Sequence, residues 1–396
     1  MNTPQSIVIK FALLLCLPWL SQCGQDPDSQ TGASPAIPIG EADNREHENQ
    51  LLSETRQLIT EGARSGEGYF AANGQELIFQ SERGDANPFY QIFIKNLKTG
   101  VETPVSPGIG KTSCAWIHPT EDRVLFASTH DDPKALSKQA ELIEQRQAAV
   151  KQRYAWSYDE QYDIYTSQKN GQGLKNLTNT LGYDAEGSYS PDGKQIVFAS
   201  NRLAYSQTLS ADDQAKLSQD PSYFMDLFIM DSEGGNVKQL TTLPGHDGGP
   251  FFSNDGKRIV WRHFSEDGQR SEIWIMDQDG QNQTQITQLN TVSWAPYFHP
   301  SNEYIIFAST VMGHGNFELY LVDLDGAKIP VRATNTPGFD GLPVFSPTGD
   351  QLAWSSTRTA NGQAQIFLAN WNHQAASALI NAAKARVIPS DSAMTQ

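Results

Sequence analysis

Cysteine is scarce in this chain: 396 residues carry three, at positions 16, 23 and 114. Basic residues are also short, with Lys+Arg 29 against Asp+Glu 45 and a formal charge of −16. That balance supplies no electrostatic footprint for nucleic acid. Long apolar runs are missing as well. The longest, "FALLLCLPWL" after Lys10, is half the length needed to span a bilayer and reads as the core of a signal peptide. Common catalytic signatures are absent. "HENQL" at His47 lacks the second histidine of a zinc-protease helix, and no G-x-S-x-G elbow occurs. "VSPGIGKTS" has Val105 where a phosphate loop needs its first glycine, and "DQDGQNQTQITQ" lacks the glutamate that closes a calcium loop.

What the chain does contain is turns, with Gly 31 and Pro 21, and a repeat. Placing the proline of "SPDG" in register gives Ala72, Pro119, Pro191, Asn254, Pro300 and Pro347, separated by 47, 72, 63, 46 and 47 residues. Seven residues on, all six units carry an aromatic: Phe79, Phe126, Phe198, Trp261, Phe307 and Trp354. Nine residues on, five carry serine and one His263. A second apolar strand follows, as in "DLFIMD" and "ELYLVD", then a Gly/Asp turn and a short ending such as "KQLT". Four alternating strands per unit of about 46 residues describe a propeller blade. "RQLIT" (Arg56 to Thr60) resembles the outer-strand ending yet precedes the first unit, whereas the last unit stops without one. The expected fold is therefore all-β: six four-stranded antiparallel blades closed by an N-terminal strand, which removes the open edge.

The expected segments are a lipoprotein-type signal peptide at 1–22, a flexible tether at 23–52, the propeller at 53–372 and a tail at 373–396. Two helical insertions fall at about 133–156 and 203–223. "LSQCG" resembles a lipobox with Cys23 as the acylated residue, although Gln22 replaces its usual small residue. With Cys16 removed and Cys23 acylated, Cys114 stands alone; no intramolecular disulfide can form, and it reads as a small core residue.

"SYSPDGKQIVFASNR", "FFSNDGKRIVW", "VFSPTGDQLAWSSTR" and "IMDSEGGNVKQLT" resemble the TolB-like family of six-bladed propellers, from Arg56 to about Trp371. "YDAEGSYSPDGKQIVFASNR" also resembles propellers that precede zinc-dependent aminopeptidase domains. Such repeats serve periplasmic scaffolds, peptidase propellers and a few lyases, so the likeness specifies fold more than function. TolB itself has an α/β domain before its propeller, for which the tether has no room, so contacts with the Tol machinery do not carry over.

Candidate site residues follow from the hairpin geometry. Asp184, Asp247 and Asp340 stand seven residues before the register position; Arg83, Arg202 and Arg358 stand eleven after it. Folding the hairpin brings Asp184 beside Ser200 and Arg202 on the face opposite the turn, the mouth of the channel. There the set, with His246, forms either structural ion pairs or a polar rim for a ligand, a peptide or a cation. His118 and His299 read as hairpin residues. His130, His263 and His314 lie near the mouth loops; solvated or hydrogen-bonded histidines are the bland reading and a metal site the sharp one. The resulting expectation is a non-catalytic, membrane-tethered periplasmic scaffold that binds protein or peptide at the mouth, needing no cofactor. An accessory propeller of a hydrolase acting in trans, or a metal-dependent lyase or hydrolase, is the alternative.

Overall fold

In the computed structural model, residues 45–148 and 158–386 are described. The signal peptide, Cys23, most of the tether, the end of the first insertion and the last ten residues lie outside them. Six four-stranded antiparallel sheets follow one another. Their innermost strands are Arg64–Phe70, Thr112–Ile117, Asp184–Tyr189, His246–Phe252, Ser293–Phe298 and Asp340–Phe345, which number blades one to six. The sixth blade takes its outermost strand from the N-terminus, Leu52–Gln57, antiparallel to Gln365–Trp371. Closure is therefore as expected, with the strand starting four residues earlier than the "RQLIT" likeness implied.

The register residues explain why six similar sheets pack. Phe79, Phe126, Phe198, Trp261, Phe307 and Trp354 are all 0–1% exposed. Each fills the space between neighbouring blades, where burial of an aromatic side chain stabilises by roughly 2–3 kcal/mol. The "SPDG" turn forms as its residues dictate. Ser190 accepts from the Gln195 amide at 3.0 Å, and Gly193 takes φ +72° as its amide donates to the Ser190 carbonyl at 2.8 Å. These turns also link blades: the His118 ring lies 3.0 Å from the Gly193 carbonyl, and that of His299 3.2 Å from Gly349 O.

The end of the stretch expected to be a flexible tether, to residue 52, is instead helical. There α1 (Arg45–Leu51) buries Leu51 and sets Glu48 3.0 Å from Arg358, while Glu48 accepts from the Asn335 amide at 2.7 Å. The first insertion supplies α2 (Ala135–Gln147). The second supplies α3 (Arg202–Ser206), α4 (Ala211–Gln219) and a 3-10 turn, Pro221–Phe224. Ser210 caps α4 by accepting from the Asp213 amide at 3.1 Å. The tail begins as α5 (His373–Ala382), whose Ala376 and Ile380 join the core between the fifth and sixth blades.

Candidate functional site

The Asp and Arg residues singled out by the hairpin geometry lie inside the blades. Position −7 pairs with position +9 in every blade: Ser65 with Ser81, Thr112 with Ser128, Asp184 with Ser200, Asp247 with His263, Ser293 with Ser309 and Asp340 with Ser356. Asp184 is wholly buried and ion-paired with Arg202 at 2.7 Å; burial raises its carboxyl to about 6 against the pull of that arginine. Asp340 pairs with Arg358 at 2.6 Å and accepts from the Trp354 indole at 3.1 Å. Asp247 accepts from the Trp261 indole at 2.8 Å and lies 2.8 Å from His263 Nδ1. Arg83 turns outward to Glu102 at 2.5 Å. The three guanidiniums also stack on rings of their own blades: Arg83 over Phe93 (4.1 Å), Arg202 over Phe198 (5.0 Å) and Arg358 over Trp354 (5.0 Å). None of these six residues lines the central cavity; His246 does.

That cavity, of about 1140 Å³, opens on the insertion side of the channel and is closed below. Tyr69, Trp116, Phe251 and Tyr297 stand three residues before the register position in blades one, two, four and five. Their rings meet across the axis at 4.6–6.5 Å. Offset and edge contacts of this kind add to simple burial, so the plug is a packed element. The channel is thus a cup with one entrance. Its wall on the side of blades five and six carries Trp294, Phe317 and Phe339, with centroids 5.5–6.3 Å apart.

Just above the plug, every innermost strand bulges at position −5. The residues there, Glu67, Cys114, Glu186, Gly249, Ala295 and Leu342, all have φ between +47° and +60°. In this conformation the strand slips register, and the side chain is turned to the axis. Two carboxylates and a thiol therefore stand side by side in blades one to three. Arg262 reaches in from blade four to Glu186 at 2.8 Å and is 5% exposed. The same carboxylate accepts from the Gly249 amide at 2.5 Å. Glycines make this approach feasible: a Cβ on Gly248 would lie 2.7 Å from both Arg262 Nη2 and Glu186 Oε2, and one on Gly249 2.5 Å from Arg262 Nη1.

Electrostatics separate these groups. Burial acts to raise the Glu186 carboxyl, but Arg262 holds it below its ordinary value. Burial, reinforced by the charge of Glu186, pushes Glu67 up to about 7. Burial and nearby Arg262 bring His246 down to about 3, leaving it neutral. The Cys114 thiol is raised well above its usual range by burial and by Glu67, which keeps it protonated and unreactive.

Both insertions reach the rim. Arg146 of α2 pairs with Glu82 and donates to the Pro88 carbonyl at 3.1 Å, while Asp220, Ser222 and Tyr223 come from the second insertion. The three candidate histidines do not meet. His130 packs on Tyr165 at 4.2 Å, His263 is held by Asp247, and His314 is exposed. Among the described residues no group of three His, Cys, Asp or Glu side chains converges as a metal site would require. The residues missed from sequence, Glu67, Glu186 and Arg262, had a readable signal. At −5 the other blades carry Cys, Gly, Ala or Leu, and at +8 Arg262 replaces Gln80, Ala127, Ala199, Ala308 and Ser355.

Comparison with known proteins agrees with this architecture. Residues 213–394 match the family model PD40, TolB beta propeller domain. A TolB-type protein of Agrobacterium tumefaciens aligns with TM-score 0.53 at 18% identity, over 80% of this chain and 94% of that one. TolB from Acinetobacter baumannii aligns at 0.51 and 16%, over 75% of this chain and 64% of that one. An oligogalacturonate lyase from Vibrio parahaemolyticus aligns at 0.47 and 12%, over 82% and 96%. Residues 213–394 are thus similar to the TolB beta propeller domain, and the chain folds as a TolB-like six-bladed propeller.

Proposed function

We propose that the protein is a non-catalytic binding propeller of the bacterial cell envelope, which admits a segment of a protein or peptide partner into the closed cup. The observation that carries this reading is the cup itself: one entrance, an aromatic floor, and a rim built by both insertions. Rigid sheets that hold long loops around a concave, aromatic-lined pocket are suited to recognition. The candidate nucleophile in the cup, Cys114, is held as a thiol, which favours binding over covalent chemistry.

The N-terminal reading completes the proposal. Cys23, lipid-modified after removal of residues 1–22, anchors the chain to a membrane, the outer membrane by analogy with other lipoproteins. No helix of the described residues is long and apolar enough to cross a membrane.

A photoreactive residue at Phe339 in the cup wall, with a control at Lys257 beside the turn of blade four, tests the reading in intact cells. Lys257 is 79% exposed on the side chain, so it is free to react. The expected result is one dominant adduct from 339, lost when residues 203–223 are replaced by a short linker. Adducts from 257 with none from 339 would contradict it.

A further inference from the structure

The floor of the cup holds one carboxylate that the fold leaves without a cation. Charged side chains around it are otherwise matched. Glu82 takes Arg64 at 2.7 Å and also Arg146, Glu186 takes Arg262 at 2.8 Å, and Lys111 takes Asp159 at 3.2 Å. Asp220 and Glu266 are exposed at the rim, where water serves them. Glu67 forms no ion pair with a described residue. Among the described residues its oxygens accept only from the Tyr69 hydroxyl at 3.2 Å and the Cys114 thiol at 3.6 Å. Both contacts are long, the second is from a weak donor, and an ionised carboxylate has about four acceptor positions to fill.

The backbone holds this group where it is. Glu67 sits at φ +47°, a conformation a residue with a side chain rarely adopts, and its amide donates to Ser355 Oγ at 3.2 Å. The bulge therefore pins the carboxylate at the axis, directly above the aromatic plug. Its surroundings favour a positive visitor. Tyr69 and Phe251 form the floor, and Tyr162 and Tyr183 line the cavity beside it, presenting electron-rich rings. Glu186 adds a second negative charge, Arg262 is engaged with Glu186, and His246 is neutral.

We propose that Glu67 is the counter-ion for a primary ammonium group that enters the cup, carried by the N-terminus of a peptide or by a lysine side chain. The proposal rests on the cup being a peptide-binding site and specifies the chemistry of its occupant. An ammonium presents three donors on a compact head, which suits the end of a closed cavity better than an extended cation. The empty site is poised for it: with its carboxyl raised to about 7, Glu67 shares a proton with solvent near neutrality, and an arriving ammonium displaces that proton.

Calorimetry on the full chain in detergent tests this, with three mixtures of short apolar peptide amides as probes. One has a free N-terminus and no lysine, one is N-acetylated and lysine-free, and one is N-acetylated with a single lysine. At pH 7 the free-amine or the lysine mixture is expected to bind about 10- to 100-fold tighter than the acetylated lysine-free one, and whichever does so names the source. Its binding heat varies with the ionisation enthalpy of the buffer, reporting proton release. Glu67→Gln is expected to abolish both the preference and the proton release while binding the acetylated lysine-free mixture as before. Equal binding of all three mixtures by the unmodified protein overturns the ammonium proposal and leaves a peptide-binding cup. Binding of none overturns both.

Discussion

Replacing Arg262 by alanine lowers the free energy of unfolding by about 3–5 kcal/mol, measured by urea denaturation at pH 8. The effect is large because Glu186 remains. Its side chain is 12% exposed, and without Arg262 it is a buried carboxylate satisfied only by the Gly249 amide and a cavity wall. Glu186→Gln combined with Arg262→Met recovers stability to within about 1–2 kcal/mol of the unmodified protein, since a buried pair removed together leaves no stranded charge. The pH dependence has a definite sign. In the unmodified protein Arg262 holds the Glu186 carboxyl down against burial, so the pair's stabilisation is present above the unfolded-state value and fades as pH falls through the lower folded value. In Arg262→Ala burial acts against the Gly249 amide bond without the guanidinium, so that carboxyl rises. The deficit is then largest at pH 8 and shrinks as acid neutralises the group. A deficit independent of pH would show that Arg262 stabilises through packing and not through charge.

Deleting residues 45–57 abolishes cooperative unfolding or lowers its free energy by about 5 kcal/mol or more. Leu51 and Leu52 are 1% and 7% exposed, and each contributes roughly 2–3 kcal/mol of apolar burial. Glu48 also leaves its ion pair with Arg358 and its bond to the Asn335 amide. The strand Gln365–Trp371 loses its partner and becomes an open edge next to the first blade, which favours edge-to-edge association. Urea denaturation with size-exclusion chromatography measures both effects. A deletion variant with an unchanged elution volume and an unchanged transition would mean that the ring closes by blade-to-blade packing alone.

The fold was legible in the chain because six copies of one brick repeat the same demands. An aromatic at +7 and a tight turn at the register position can be aligned without knowing what they pack against. The candidate site was less legible for a related reason. Asp184, Asp340, Arg202 and Arg358 stand out as charged residues, but the same brick folds them back onto their own blade, where they bond to Ser200 and Ser356 and stack on Phe198 and Trp354. The residues that set the cup apart sit where the brick is broken. Arg262 occupies a position that is otherwise alanine, serine or glutamine, and the Gly248–Gly249 pair clears space for it. That pairing depends on a left-handed bulge in each innermost strand, a backbone feature for which five of the six residues give no propensity signal, since only Gly249 adopts positive φ readily. Docking of α1 and α5 was equally hidden, because α1 buries only Leu51 and α5 only Ala376 and Ile380.

Hydroxyl-radical footprinting, comparing the protein in intact envelopes with the same protein purified, tests most directly that the cup is where the partner binds. The account predicts protection in envelopes of Tyr223, Trp294, Phe317 and Phe339 around the cup. Leu174 and Val237, which are 40% and 43% exposed beside the outer strands, are expected to react equally in both samples. Protection of Leu174 and Val237 with unchanged reactivity at the cup residues would contradict it.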